Sequence, residues 1–406
     1  MNLSFQLFVD KFIFKPLTTV FNVLTRFTGQ IANINHDLDR PFRKIVVCKF
    51  KGMGSILQCT AMLTALRDRF PESEIWFVST SGNLQMLSKF AELNRILVIR
   101  DESVFSLVKS LTSTWWKLVR FRSEVYIDLE MYSHFSSLFA LFSLAKNRIG
   151  FYTRGDDAKL GIFTHMMFFN VNAPISRVYL QMAYLLGAQV KDYHLENFNT
   201  TLQETGNKKY IVINPNASDL RLERRWPMEN FMYIIQNFTK YYPEYNICLI
   251  GSASEKEYVD QLLSGKTFSQ VINLAGKTSF DQLLTLIKNA ELVISNDTGP
   301  MHLAFALEKS VLALFGPCSP KQYSIFSTSV KVFYKSVYCS PCVHEFLVPP
   351  CKGNNICMQI ISKEEVFMAV VEFMSKGKFE ETLFNGEEII YESSNQTIGL
   401  IKTQKR

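Results

Sequence analysis

No run of about twenty uninterrupted apolar residues occurs in the sequence, so no single segment reads as a membrane-spanning helix. No internal repeat or low-complexity tract is visible either, which sets aside solenoids and fibrous chains. A basic-aromatic motif of the kind that binds nucleic acid is missing, and with it the reason to expect that partner. The start of the chain lacks the form of a secretory signal. Residues 3–27, "LSFQLFVDKFIFKPLTTVFNVLTRF", are aromatic-rich but broken by Asp10, Lys11, Lys15, Pro16 and Arg26. They read instead as an interfacial anchor in two short helices, or as a helix packed on the protein's own surface. Without a secretory signal, structural disulfides are disfavoured. Surplus charge is missing from one half of the chain. Of 44 Lys+Arg and 37 Asp+Glu, residues 1–200 hold 23 and 16, which leaves 21 of each for the remainder and puts the whole net charge of +7 in the first half. That asymmetry points the N-terminal half toward something anionic, such as a membrane surface or a phosphorylated glycolipid. Helix 103–120, with Trp115, Trp116, Lys117 and Arg120, offers a second contact of the same kind.

What is present is an alternation of short apolar strands and helices. At 406 residues and 47% hydrophobic content the chain can bury two ordinary cores. After a polar linker near 30–42 come "KIVVCKF", helix 55–69, "EIWFVS", helix 83–90, "RILVIR", helix 103–120, "VYIDLE", helix 134–145 and "NRIGF". A less regular stretch runs to about 206. A second series then follows: "YIVINPN", helix 228–241, "NICLIG", helix 254–264, "VINLAG" and helix 279–289. Parallel sheets in two Rossmann-like halves are the expected result. The second series ends in "SNDTGPMHLAFALEKSVLALFGP" (295–317), which reads as strand, tight loop, helix, strand. Pro300 suits the first helical position and Thr298 or Gly299 the cap, so the loop delivers a helix N-terminus able to hold a phosphate. In the first series "KGMGS" (51–55) follows a strand, but Leu57 replaces the third glycine of a dinucleotide fingerprint and no acid ends the next strand, so that cofactor is excluded. The Asp-x-Asp of "HDLD" (36–39) lies in the linker, away from any strand end, and is expected to be solvated.

The string "NDTGPMHLAFAL…VLALFGP" resembles the signature of glycosyltransferase family 9, the lipopolysaccharide heptosyltransferases, in which an Asp-Thr/Ser-Gly-x-x-His loop holds the nucleotide-sugar. Residues 44–78, 210–231 and "LIGSASEKE" (249–257) are similar to the family at the corresponding places, so the resemblance spans about 44 to 375. It implies an α/β GT-B fold of two Rossmann-like parallel-sheet domains facing a cleft, preceded here by an amphipathic helical segment. The units would be 1–40 (segment and linker), 41–206 (acceptor domain), 207–375 (nucleotide-sugar domain) and 376–406 (polar tail). It further implies donor contacts from Arg225, which stands directly before Trp-Pro, from Glu255, and from Asp297, Thr298, Gly299 and His302. Lys51 and Gly54 would lie on the acceptor side.

One departure from the pattern stands out. Where the family's first turn reads Gly-Asp, with the Asp as presumed catalytic base, this chain reads Gly54-Ser55. A serine hydroxyl does not act alone as a base near neutral pH, so a carboxylate from "VYIDLE" is the expected substitute, Glu130 first and Asp128 second, both on one face of the fourth strand. Cys339, Cys342, Cys351 and Cys357 form C-x2-C-x8-C-x5-C, which could hold a structural zinc or remain as thiols. The reading is an inverting, metal-independent glycosyltransferase without a cofactor, moving a sugar, heptose from ADP-heptose, onto a lipid-anchored saccharide at the cytoplasmic face of the inner membrane. The alternatives are a non-catalytic nucleotide-sugar or glycolipid binding protein of the same pathway and another GT-B nucleotide-sugar enzyme such as an epimerase.

Overall fold

The computed structural model describes residues 3–32, 34–189, 209–217, 221–325, 327–343, 349 and 351–379. Two parallel six-stranded sheets organise them. The first contains β1 (Lys44–Cys48), β2 (Glu74–Thr80), β3 (Arg95–Ile99), β4 (Val125–Asp128), β5 (Asn147–Tyr152) and β6 (His165–Phe168), in the order β3-β2-β1-β4-β5-β6. The second contains β7 (Tyr210–Asn214), β8 (Asn246–Leu249), β9 (Val271–Asn273), β10 (Leu292–Asn296), β11 (Val311–Phe315) and β12 (Val330–Tyr334), in the order β9-β8-β7-β10-β11-β12. Counted from its own first strand, each sheet has the same order. In both it reverses beside that first strand, between β1 and β4 and between β7 and β10. Such a reversal sends successive crossovers to opposite faces and leaves a crevice outside the strands' carboxyl ends. The strands form here because their apolar runs are buried on both sides: β7, β10 and β11 are buried at every position.

Helices cover both faces. Those of the N-terminal half are α1 (Leu3–Val9), α2 (Lys15–Ala32), α3 (Met53–Leu57), α4 (Thr60–Arg69), α5 (Leu84–Leu87), α6 (Val104–Phe121), α7 (His134–Phe142) and α8 (Ile175–Leu185). The second half adds α9 (Met228–Tyr241), α10 (Lys256–Leu262), α11 (Phe280–Lys288), α12 (Gly299–Ala306), α13 (Pro320–Tyr323), α14 (Ile356–Gln359) and α15 (Lys363–Lys376). On one side of the first sheet, α6 and α7 bury Leu118, Phe121, Phe139 and Ala140 against Val46, Val78 and Tyr126. On the other side α4 packs on α8.

The N-terminal run differs from its expected two short helices. A π turn over Asp10–Phe14 joins α1 to α2 without a break. Pro16 sits just after that turn, where its missing N–H falls at the join between two hydrogen-bond registers and no helical bond is lost mid-ladder. The run is docked on the first domain. Phe14 and Phe21 pack against Phe135 and Phe142 of α7, at 5.1 Å between ring centroids in each pair. Asp10 accepts from the His134 and Phe135 N–H groups at the start of α7, at 3.0 and 2.9 Å. The expected boundary near 206 lies outside the described residues, as does the tail from 380 onward.

Candidate active site in the cleft between the sheets

The first half of the site is built where β7 and β10 diverge. Asn214 donates to Ser295 Oγ at 3.0 Å and to Thr298 Oγ1 at 2.7 Å, and Asn296 donates to the carbonyls of Pro215 and Asn216, both at 3.0 Å. These amides tie the loops after the two strands together. Thr298 is the N-cap of α12, with Pro300 in its first turn, but the Thr298 hydroxyl turns to Asn214 and leaves the helix end uncapped by its own side chain. The positive end of the helix dipole is thereby kept for a ligand.

Asp297, next in the loop, is buried with its carboxylate between His302 Nε2 at 3.5 Å and Arg224 Nη1 at 3.7 Å. Burial alone would raise its pKa, but Arg224 and then His302 outweigh burial and hold the carboxyl well below the usual range. Arg224 also donates to the Asp297 carbonyl at 3.2 Å.

Its neighbour Arg225 faces elsewhere, stacked 4.0 Å over the Tyr258 ring and donating to Ala217 O at 3.3 Å. Both arginines are presented by one segment. The buried Trp226 pins it by donating Nε1–H to Ile361 O at 3.0 Å, and Asn355 bonds the carbonyls of Glu223 and Arg225. Glu255 closes a capping box through one carboxylate oxygen, Oε2, which accepts from Ser252 N at 2.8 Å and from its hydroxyl at 2.9 Å.

The second half lies where β1 and β4 diverge. Gly52 takes φ +86°, which turns the chain from Lys51 into α3 and needs a glycine. The sequence placed Asp128 and Glu130 on one face of β4, and the structure corrects this: β4 ends at Asp128, and Glu130 lies beyond it. Its carboxylate comes round to the β1 turn, accepting from Phe50 N at 2.7 Å and Lys51 N at 3.1 Å and pairing with Lys49 Nζ at 3.0 Å. Burial works to raise Glu130, yet Lys49 and those two N–H groups prevail and keep it ionised. Beside it, burial pulls Lys51 down, with Glu130 and Asp101 opposing, and Lys51 Nζ bonds Gln6 of α1. The Ser55 hydroxyl faces the buried Tyr179 phenol.

Asp128 points the other way, under α7, with one carboxylate oxygen bonded to Glu130 N at 2.9 Å and the other buried without a hydrogen-bond partner among the described residues. Burial pushes it up to about 7. Its folded pKa lies above the unfolded one, so the stability it contributes is complete below about pH 4 and is lost as pH rises through 7. Asp128→Asn keeps an acceptor for Glu130 N and cannot ionise. Its melting temperature, compared with that of the unaltered chain, is expected to be higher near pH 8 and equal near pH 4.5. The same difference at both pH values would show that the carboxyl's pKa is not raised in the folded chain.

The two halves meet. Helix α3 packs against α12, and Lys89 pairs with Asp281 across the cleft at 2.5 Å. Gln58 Nε2 approaches His302 Nδ1 and the Tyr323 carbonyl, each at 3.4 Å. That donor assigns the neutral ring's proton to Nε2, facing Asp297. Gly54 lies flat against the same imidazole: a Cβ there would come within 2.7 Å of Nε2 and closer still to Cδ2. The structure therefore brings Gly54, Asp297, Thr298, Gly299 and His302 into one cluster with Ser55, Lys51 and Glu130 beside it, whereas Asp128 is turned away.

Sequence reasoning missed Gln58, Lys49 and Arg224. Only Arg224, next to Arg225 in a basic run before a helix, carried a local signal. Cys339, Cys342, Cys351 and Cys357 are free, with Cys357 raised to about 11 by burial and by the other three thiols. Among the described residues no group of three or more His, Cys, Asp or Glu is placed to hold a metal ion, so the zinc expectation finds no support in the geometry.

A model of glycosyltransferase family 9 (heptosyltransferase) matches residues 136–349, just over half of the chain. Lipopolysaccharide heptosyltransferase 1 of Campylobacter coli is 32% identical over 131 residues, 32% of this chain and 37% of that protein. Lipopolysaccharide heptosyltransferase 3 of Escherichia coli K12 is 21% identical over 347 residues, 79% of this chain and 95% of that one. The first three curated relatives are matched over only 37% to 42% of their own length. The solved structure of the E. coli ADP-heptose lipopolysaccharide heptosyltransferase II superposes with a TM-score of 0.67 at 20% identity, covering 82% of this chain and 99% of that one, which shows a shared fold.

Proposed function

Because the chain belongs to glycosyltransferase family 9, we propose that it moves a sugar, heptose from ADP-heptose, onto a hydroxyl of a lipid-linked saccharide, with inversion at the anomeric carbon. The observation that carries this reading is the meeting of the two crevices: the donor-type loop Asp297–His302 and the Glu130–Lys51 turn open onto one cleft, with Gly54 against His302. The N-terminus of α12 and Arg225 would receive the diphosphate, since an arginine fork makes charge-assisted, paired hydrogen bonds to phosphate oxygens. Asp297 and His302 would orient the sugar. The acceptor oxygen attacks the anomeric carbon as the bond to the diphosphate breaks. Its proton passes to the Glu130 carboxylate, and the departing negative charge is met by the arginine and the helix end without calling on a metal. A lipid-linked acceptor places the work at a membrane face, and the cytoplasmic face of the inner membrane is where nucleotide-sugars are supplied.

A labelled donor incubated with and without glycolipid tests the reading. Acceptor-dependent labelled product is expected, and donor binding without such product would instead favour a binding protein. In the same preparations Arg225→Ala is expected to weaken binding of the free nucleotide diphosphate by about 1.5–3 kcal/mol. Unchanged affinity would remove Arg225 from the phosphate site.

A further inference from the structure

The helical layer on the outer side of the first sheet has an apolar face left exposed among the described residues. Along α2, Leu17, Val20, Leu24, Phe27 and Ile31 recur at intervals of three and four and are all exposed, with Phe27 at 63% and Ile31 at 71%. The opposite side of the same helix is the one docked on α7, where Thr18 is fully buried. A helix with its inward side already packed has no folding reason to carry a second apolar stripe.

The stripe does not stand alone. Phe142 and Leu144, at the end of α7, are exposed beside it, and on α6 so are Phe105, Val108, Trp115 and Trp116. These three helices are neighbours: Phe21 of α2 packs on Phe142, and Trp115 Nε1–H bonds the Phe142 carbonyl at 2.9 Å. Phe5, Phe8 and Phe12 extend the face at its other end, beside the turn that carries Lys51.

Charge tells which partner fits. The helices α1, α2, α6 and α7 and the π turn carry Lys11, Lys15, Arg26, Lys109, Lys117 and Arg120 against a single acid, Asp10. Asp10 is already spent on the N-terminus of α7. At the far end of α6 a cleft of about 770 Å³ is lined by Arg120, Arg122 and Lys146, with Leu144 on its rim. Its one carboxylate, Glu124, is taken by the backbone N–H groups of Arg43 and Lys44 and by Arg40. A second copy of this chain would set like charge against like charge across the stripe, whereas an anionic bilayer satisfies both the apolar face and its basic border.

We propose that the outer faces of α1, α2 and α6, with the end of α7 between them, seat the protein on an anionic lipid bilayer, and that the Arg120–Arg122–Lys146 cleft takes lipid phosphate at its edge. The inference deepens the proposed function, since it rests on a lipid-linked acceptor and names the surface that brings the cleft to it. Seated this way, α1 and the Lys51 turn lie at the lipid plane, so a saccharide anchored in the bilayer enters the acceptor side directly.

The test uses the full chain with vesicles of phosphatidylglycerol and phosphatidylcholine, and with phosphatidylcholine alone. Of four tryptophans, Trp76 and Trp226 are buried, so a blue shift and quenching by brominated lipid report Trp115 and Trp116. Binding to the anionic vesicles with quenching is expected. Leu24→Asp with Phe27→Asp is expected to weaken partitioning at least a hundredfold. Arg122→Ala with Lys146→Ala is expected to weaken it about tenfold or more while leaving the tryptophan positions of the bound protein unchanged. Equal binding to phosphatidylcholine alone would overturn the part given to charge. Absence of vesicle binding, or a dimer in light scattering that Phe27→Asp dissociates, would overturn the surface as a whole. Nucleotide diphosphate affinity measured on the same samples reads the second domain separately, so sugar transfer can survive the loss of this surface, and the surface can survive the loss of transfer.

Discussion

Glu130→Gln is expected to lower turnover by about 10²–10⁴, the usual range for loss of a general base, with affinity for the nucleotide-sugar nearly unchanged. The substitution is close to isosteric. A glutamine carbonyl can still accept from Phe50 N and Lys51 N, which hold the side chain at 2.7 and 3.1 Å, so the turn keeps its shape. What is lost is the negative charge on the oxygen paired with Lys49 and, with it, the capacity to take a proton. Lys49 and the backbone donors keep Glu130 ionised, which makes it ready as a base throughout the neutral range, although the same donors limit its basicity. Asp128→Asn is expected to change turnover little, because that carboxyl is buried under α7, and Ser55→Ala should lie between the two. Single-turnover measurement of sugar transfer, with donor affinity measured separately, ranks the three. A larger loss from Ser55→Ala than from Glu130→Gln would return the chemistry to the first glycine turn.

Gly54→Ala is the second large effect expected, a fall in turnover of about 10² with little change in the stability of the chain. Within a helix alanine is the better residue by about 1 kcal/mol, so local propensity opposes glycine at this place. The reason for it is across the cleft: an added methyl group would sit within 2.7 Å of His302 Nε2, inside contact distance of the ring. The imidazole, held by Gln58 on one side and Asp297 on the other, has no free direction to yield, so α3 must withdraw from α12. A displacement of about 1 Å at a reacting centre is enough for a loss of this size. Calorimetry and turnover measured together check the split. A variant that keeps its turnover would show that the approach of Gly54 to His302 is not needed for transfer.

Much of the fold was legible because parallel strands buried on both faces must be continuous apolar runs, and "YIVIN", "LVISN" and "VLALF" are. The edge strand β6 was lost in the region read as irregular, since its residues are mostly half-exposed and carry little pattern. Helix α8 could have been found: Ile175, Val178, Tyr179 and Met182 form a buried stripe at helical spacing. The donor-type loop stood out because its polar residues are consecutive in the chain. The rest of the site is assembled from residues distant in sequence, and spacing gives no sign of it. Gln58 and His302 are separated by 244 positions, and nothing near Glu130 announces that its side chain leaves the line of β4 to hold another strand's turn.

The bonds made by the N-terminal run change how that segment must be regarded. Asp10 accepts from the His134 and Phe135 N–H groups, Asn22 accepts from Gly161 N at 2.6 Å, and Gln6 meets Lys51. A chain held at three such points is a strut and not a tether. A tether would let the cleft sample many heights and tilts above whatever α2 rests on. A strut fixes one of each, so the cleft would work as a ruler, reaching a hydroxyl only at a set distance from that support. Deleting the run would also take Asp10 away from the His134 and Phe135 N–H groups and uncover Phe135 and Phe142, which is why single charged substitutions on its outer side are the sounder probe.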